Sequence, residues 1–197
     1  MKNKFFILSL FCISFLFSDT YIFDQNNSEL LWRGKKVTGE HYGSVNINSG
    51  FVEIENDSIM ASEIVIDMKS IKVIDIISEE WNVKLENHLK DSDFFDVETF
   101  PTSVFKINNA QSISMHDWYV NGTLLYGDLI IMDVSHPVTV PMTLTIQGKK
   151  AKAAGIIKIN RTLFGIIYGS GTFFDNLADK AIDDEFYIKF NIVGNIK

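Results

Sequence analysis

A single cysteine, Cys12, occurs in the chain, and it lies inside an apolar leader. A mature product without that leader needs no disulfide, has no thiol nucleophile and cannot ligate zinc through sulfur. Arginine is nearly as scarce, with only Arg33 and Arg161. No HExxH, GxSxG, P-loop or GxGxxG pattern occurs, and the Gly169-Ser170-Gly171 triplet is too short to stand for one. Beyond the N-terminus no apolar run is long enough to span a bilayer. Low-complexity linkers and blocks of like charge are also missing, which argues for one domain.

What is present begins with an address. Lys2 and Lys4 precede an apolar stretch from Phe5 to Phe17, too short for a comfortable span and suited to a secretory signal peptide, with Ser18 a small residue at the cleavage point. An uncleaved anchor is the alternative. The sequence thus predicts a signal peptide over 1–18 and a periplasmic or secreted domain over 19–197. Losing Lys2 and Lys4 takes the formal charge from −7 to −9. So acidic a surface repels nucleic-acid phosphates and anionic headgroups and keeps an exported domain soluble.

Period-two alternation dominates the rest. Met60, Ser62, Ile64, Ile66 and Met68 share one face of a strand; so do Val138, Val140, Met142, Leu144 and Ile146, and again Phe186, Ile188, Phe190 and Ile192. Weaker strands cover 21–23, 30–37, 42–54, 104–107, 118–126, 128–133 and 151–159. Turns are predicted at Asn48-Ser49-Gly50, Glu55 to Ser58, Tyr126-Gly127-Asp128 and Gln147 to Lys150. This spacing predicts an all-β, up-and-down antiparallel sheet of about eight strands whose edges are best removed by closure into a barrel.

Two segments break the alternation. In the first, Ser78 can cap a short helix, Glu79 and Glu80 suit its first turn and Lys90 its last. Trp81, Leu85, His88 and Leu89 fall on one face, which the open end of a barrel could bury, either as a plug or as a ligand lid. An acidic loop with Phe94 and Phe95 follows. The second, from Asn160 to Phe186, carries three glycines and another pair, Phe173-Phe174. A connection this long is usually functional, and paired aromatics on both loops suggest an apolar mouth.

The four histidines, His41, His88, His116 and His136, have no close ligand spacing, so neither a metal nor a cofactor is expected. Asp91/Asp93 and Asp183/Asp184 read as solvated or capping carboxylates, which leaves no catalytic residue in view. His41 lies in a strand beside Gly43, where a backbone or ligand could approach. Arg161, in an apolar neighbourhood, suits a ligand carboxylate or phosphate, or else an internal acid such as one in the 91–98 loop.

Four segments, in order, carry a family resemblance: GEHYGSVNINSGFVEIE (39–55), HLKDSDFFDVETFPTSVFKI (88–107), GDLIIMDVSHPVTVPMTL (127–144) and KINRTLFGIIYGSG (158–171). Together they resemble the YceI-like, polyisoprenoid-binding family over nearly all of the mature chain. Met132-Asp133 departs from the basic residue and glycine that many members carry. The resemblance implies an extended, lipocalin-like antiparallel barrel with one short helix near an end, holding an isoprenoid or other long-chain lipid. His41, Phe94, Phe95, Arg161 and Tyr168 fall on its motif residues, and with Trp81 from the helix they form the expected ligand-binding set. The expected product is a carrier and not an enzyme, with no nucleic-acid partner, no membrane span once the signal is removed, and a homodimer allowed. Alternatives are an enzyme on a hydrophobic substrate using His41, Arg161 and a loop carboxylate, and a solid-cored interaction domain.

Overall fold

The computed structural model describes residues 18–56, 58–115 and 120–197. Residues 1–17 of the expected leader, Cys12 among them, lie outside the described residues, as do His116 and the expected strand start at Trp118.

The strands are β1 (Asp19–Phe23), β2 (Glu29–Lys36), β3 (Gly39–Glu55), β4 (Ser58–Val73), β5 (Thr102–Met115), β6 (Val120–Ile131), β7 (Val134–Gln147), β8 (Lys150–Asn160) and β9 (Ile182–Ile196), with helix α1 (Glu79–Lys90) between β4 and β5. All pairings between strands are antiparallel, and the ladder runs from β2 through β9, β8, β7, β6, β5, β4 and β3 back to β2. This closes the sheet on itself as an eight-stranded barrel. The ninth strand adds no stave. β1 pairs with the same two neighbours as β2, at Ile22↔Phe51 and Ile22↔Asn195, so β1 and β2 are one stave interrupted by a turn. In that turn the Asp24 carboxylate accepts from the backbone N–H groups of Asn26 and Asn27.

Helix α1 and the connections β2–β3, β6–β7 and β8–β9 gather at one end, called upper below. The β3–β4 and β7–β8 turns and the first residues of β1 lie at the lower end.

The predicted inward faces of β7 and β9 are the observed ones, because each strand has one apolar side to bury. On β4 the pattern slips. A register shift beside Glu53 and Ile54 turns Ile59 inward and leaves Met60 58 % exposed, so Met60 does not join the face of Ile64 and Met68. Two expected turns are absent as well. Gly50 and Gly127 lie inside continuous strands, where a Cβ would sit 2.7 Å from the Glu63 carbonyl oxygen and 2.2 Å from that of Lys106. These glycines permit close backbone approach, not reversal.

One loose seam lies between β7 and β8. β7 and β8 pair only as far up as Met142↔Gly155. Above that level Pro137 and Pro141 bring no N–H to a ladder, and the Phe164 ring lies edge-on to His136 at 5.2 Å.

Helix α1 turns Leu85, His88 and Leu89 toward the cavity as expected, but it is not held by that face alone. Its buried residue is Glu86, whereas Trp81 is 56 % exposed. Asn82 Nδ2 donates to the carbonyls of Val73 and Ile76. One turn later the Glu86 carboxylate accepts from the Val73 N–H and from Lys72 Nζ, each at 3.0 Å. The helix is thus pinned to backbone groups left over where β4 ends, a job that polar side chains at i and i+4 can do and leucines cannot.

Burial opposes ionisation of Glu86, but the Val73 N–H and the charges of Lys72 and Lys90 outweigh it and hold its pKa below the ordinary 4.5. A lowered folded-state pKa gives stability that is present above 4.5 and lost as pH falls through the folded value. We expect Glu86→Gln to cost about 1–2 kcal/mol near neutral pH. Denaturant titrations of both proteins from neutral to acid pH should find the gap closing below that range. A constant gap would mean that the carboxylate's charge contributes nothing.

Candidate functional site: an apolar cavity with an aromatic mouth

The closed sheet leaves a cavity of ≈ 440 Å³, lined by inward aliphatic and aromatic side chains such as Ile64, Leu125, Val140, Ile157 and Phe190. Its volume falls within the usual range for ligand sites. Toward the lower end Tyr21, Val52, Ile54 and Ala151 pack as a small cluster of their own. The upper end is where the irregular segments meet.

The loop after α1 is built to aim its phenylalanines. The Asp91 carbonyl accepts from the N–H groups of Phe94 and Asp96, Lys90 accepts from Val97, and Asp96 takes a left-handed φ of 41° that tightens the turn. Phe94 and Val97 are thereby buried, and Phe94 and Phe95 both line the cavity. The Phe94 ring lies 5.0 Å from His88 and 5.5 Å from Tyr168, His88 and Tyr168 are 4.6 Å apart, and Phe95 meets Phe186 at 6.2 Å. Edge-on and tilted contacts of this kind are the favoured aromatic geometries. They tie helix, loop and β8–β9 connection into one cap.

Beside the cap is an outer chamber of ≈ 340 Å³ lined by His41, Ile76, Trp81, Lys84, Leu85 and His88. His41, Leu85 and His88 line both spaces. His41 is fixed there by Asp75, whose Oδ2 lies 2.7 Å from Nδ1 while Oδ1 accepts from the Tyr42 N–H. Burial works against the Asp75 charge, yet the His41 and Tyr42 contacts prevail and its pKa is lowered. Lys35 and Lys36 also line the cavity, and both come from the top of β2. Exposed apolar side chains crowd the same end, among them Val37, Ile77, Trp81, Leu163, Phe173 and Phe174.

The structure therefore brings His41, Phe94 and Phe95 to the cavity wall. Trp81 faces the outer chamber under Lys84 Nζ at 4.7 Å, and Tyr168 braces the cap without lining either space. Arg161 lines the cavity but is engaged elsewhere. Its Nε donates to the Asp183 carbonyl, Nη1 to Ile166 and Nη2 to Ile182, with Asp184 Oδ1 3.6 Å away. Its internal acid is thus Asp184 and not a member of the 91–98 loop, which it meets only through the Phe94 ring at 6.0 Å. Burial lowers the pKa of the guanidinium, and Asp184 and Asp183 counter part of that.

Sequence reasoning missed Asp75, Lys35, Lys36 and Ser103. Ser103 had a usable signal, because it shares the inward parity of Phe105 and Ile107 on β5, one residue before the expected strand start. Among the described residues no cluster of three or more His, Cys, Asp or Glu could hold a metal ion, and no helix is long and apolar enough to cross a membrane.

A family model for the YceI-like domain matches residues 21–194. Among solved structures, the chain is similar to Burkholderia cenocepacia BcnA, with TM-score 0.64, 22% identity, and 87% of this chain and 98% of that one covered. It is also similar to a polyisoprenoid binding domain from Saccharophagus degradans implicated in plant cell wall breakdown, with TM-score 0.60, 11% identity and coverage of 90% and 98%. A Campylobacter jejuni YCEI protein gives TM-score 0.54 at 16% identity, covering 100% and 94%. At these identities the likeness is one of fold. No curated protein matches the chain by sequence.

Proposed function

The chain belongs to the YceI-like domain family, and from that premise we propose that it is an exported binding or carrier protein for a long-chain isoprenoid-like or fatty amphiphile. The observation that carries this reading is the apolar cavity rimmed by aromatic loops above. A void of this size speaks against a solid-cored interaction domain. The polyisoprenoid binding named for the Saccharophagus relative points the same way. Export rests on the leader, whose removal would leave the domain over 19–197.

In this reading the chain of the ligand lies along the barrel, and His41, Phe94 and Phe95 contact it near the mouth. Trp81 and Tyr168 shape the entrance, while Arg161 holds the β8–β9 connection in place. The activity proposed is binding, in keeping with an apolar lining in which the polar side chains named above have internal partners or lie at the rim.

Affinity should then follow apolar contact. Each methylene moved from water into the lining contributes about 0.8 kcal/mol, or roughly fourfold in Kd. Competition of alkyl chains of increasing length against an apolar fluorescent probe checks this. We expect saturable one-site probe binding and a steady gain with length that levels off once the cavity is full. Unsaturable binding, or affinity indifferent to length, would count against a barrel site.

A further inference from the structure

We infer that the ligand carries an uncharged oxygen inside the barrel, held by the hydroxyl of Ser103; the inference rests on the carrier reading above. Ser103 is 5 % exposed and lines the cavity, and its Oγ has no hydrogen-bond partner. It begins the inward row of β5 that continues with Phe105 and Ile107. In the ladder it stands opposite Ile66 of β4, one step beyond the Val104↔Ile130 pair with β6. Ile66 beside it is aliphatic and also faces the cavity, and at this level β5 is paired with β4.

A buried hydroxyl without a partner is a cost that valine or alanine would avoid at the same position. The other polar side chains along the cavity have partners or reach solvent. Ser62 Oγ donates to the Phe51 carbonyl at 2.7 Å, and Trp32 Nε1 to that of Lys72. The His41 ring is tied to Asp75 and that of His88 to Asp93. Arg161, the one other buried polar residue of the lining among the described residues, has donors on three carbonyls. Among the described residues Ser103 is therefore the buried polar group of the lining still open to a ligand.

Charge decides the class of that ligand group. An ionised carboxylate or phosphate beside Ser103 would lose its hydration, and the buried cation of the lining is already engaged by Asp184 and the loop carbonyls. An ionised head belongs at the rim, with Lys35 and Lys36. What suits Ser103 is an ester, ketone or amide carbonyl, or a hydroxyl, set just inside the mouth with the apolar chain running below it.

The test compares wild type with Ser103→Ala, using methyl hexadecanoate and hexadecane as competitors of an apolar probe. The variant should bind the ester about five- to tenfold more weakly and the alkane within about twofold of wild type. The ester carbonyl stretch of bound ligand should lie at lower frequency in wild type than in the variant, a signature that a merely structural serine would not give. Ligand-free Ser103→Ala should unfold at an equal or higher temperature. If both ligands bind the variant as they bind wild type, or both weaken equally, Ser103 is not the recognition group and the carrier reading stands. If wild type binds neither chain, the carrier reading falls and takes this inference with it.

Discussion

Arg161→Ala is expected to lower stability by about 3 kcal/mol, near the lower end of what removing one partner of a buried ion pair costs. For a domain of this length that amounts to a fall in Tm of roughly 6–12 °C. Arg161 is 4 % exposed, and its loss leaves the Asp183, Ile166 and Ile182 carbonyls without their donor and Asp184 without its cation. Ile166 is itself 1 % exposed, so water cannot readily take the arginine's place. Arg161→Lys restores the charge but not the fork, and only part of the loss should return. Thermal unfolding of the three proteins decides the point. The same variants separate strut from ligand contact: as a strut, Arg161→Lys changes the affinities for anionic and uncharged chains together. A selective loss of anionic chains would instead place the guanidinium on the ligand's head.

The second large effect is on binding. Ala153 lines the cavity from β8, where Leu144 and Ile192 flank it in register. Ala153→Trp puts the largest side chain into that space, and affinity for any chain should fall at least about tenfold. Overpacking costs typically 1–3 kcal/mol where a core is already full, but here the ring enters a void, so Tm should change little. Lys152→Trp, one residue along and facing solvent, adds the same bulk outside the barrel and should leave affinity alone. Equal effects from the two substitutions would locate the ligand elsewhere.

The barrel was legible because closure buries one face of every strand, which writes a period of two into β7 and β9. Where the reading failed, one residue type served two purposes. Glycine marks turns, but Gly50 and Gly127 lie where strands press together, and nothing local tells the two apart. Met60 left its expected face because a bulge spoils parity over a single residue. For α1 the expected stripe reaches the cavity through Leu85, His88 and Leu89, but Asn82 and Glu86 also dock the helix, because the backbone at the end of β4 needs partners.

Of the site, His41, Phe94 and Phe95 were found through motifs, and the structure places them on the cavity wall. The partner of His41 is 34 residues distant, which no local pattern reveals. In sequence Ser103 is an ordinary polar residue near a strand start, and only the cavity gives it an inside to face.

The central claim, that the barrel holds a long-chain amphiphile, is most directly tested by purifying the protein from its own host, extracting it with organic solvent and weighing what comes out by mass spectrometry. The account expects a lipid near one per polypeptide, depleted in Ala153→Trp, with a single long apolar chain and an uncharged oxygen near one end. Extracts without stoichiometric lipid, from a protein that also refuses to be loaded with one, would contradict it.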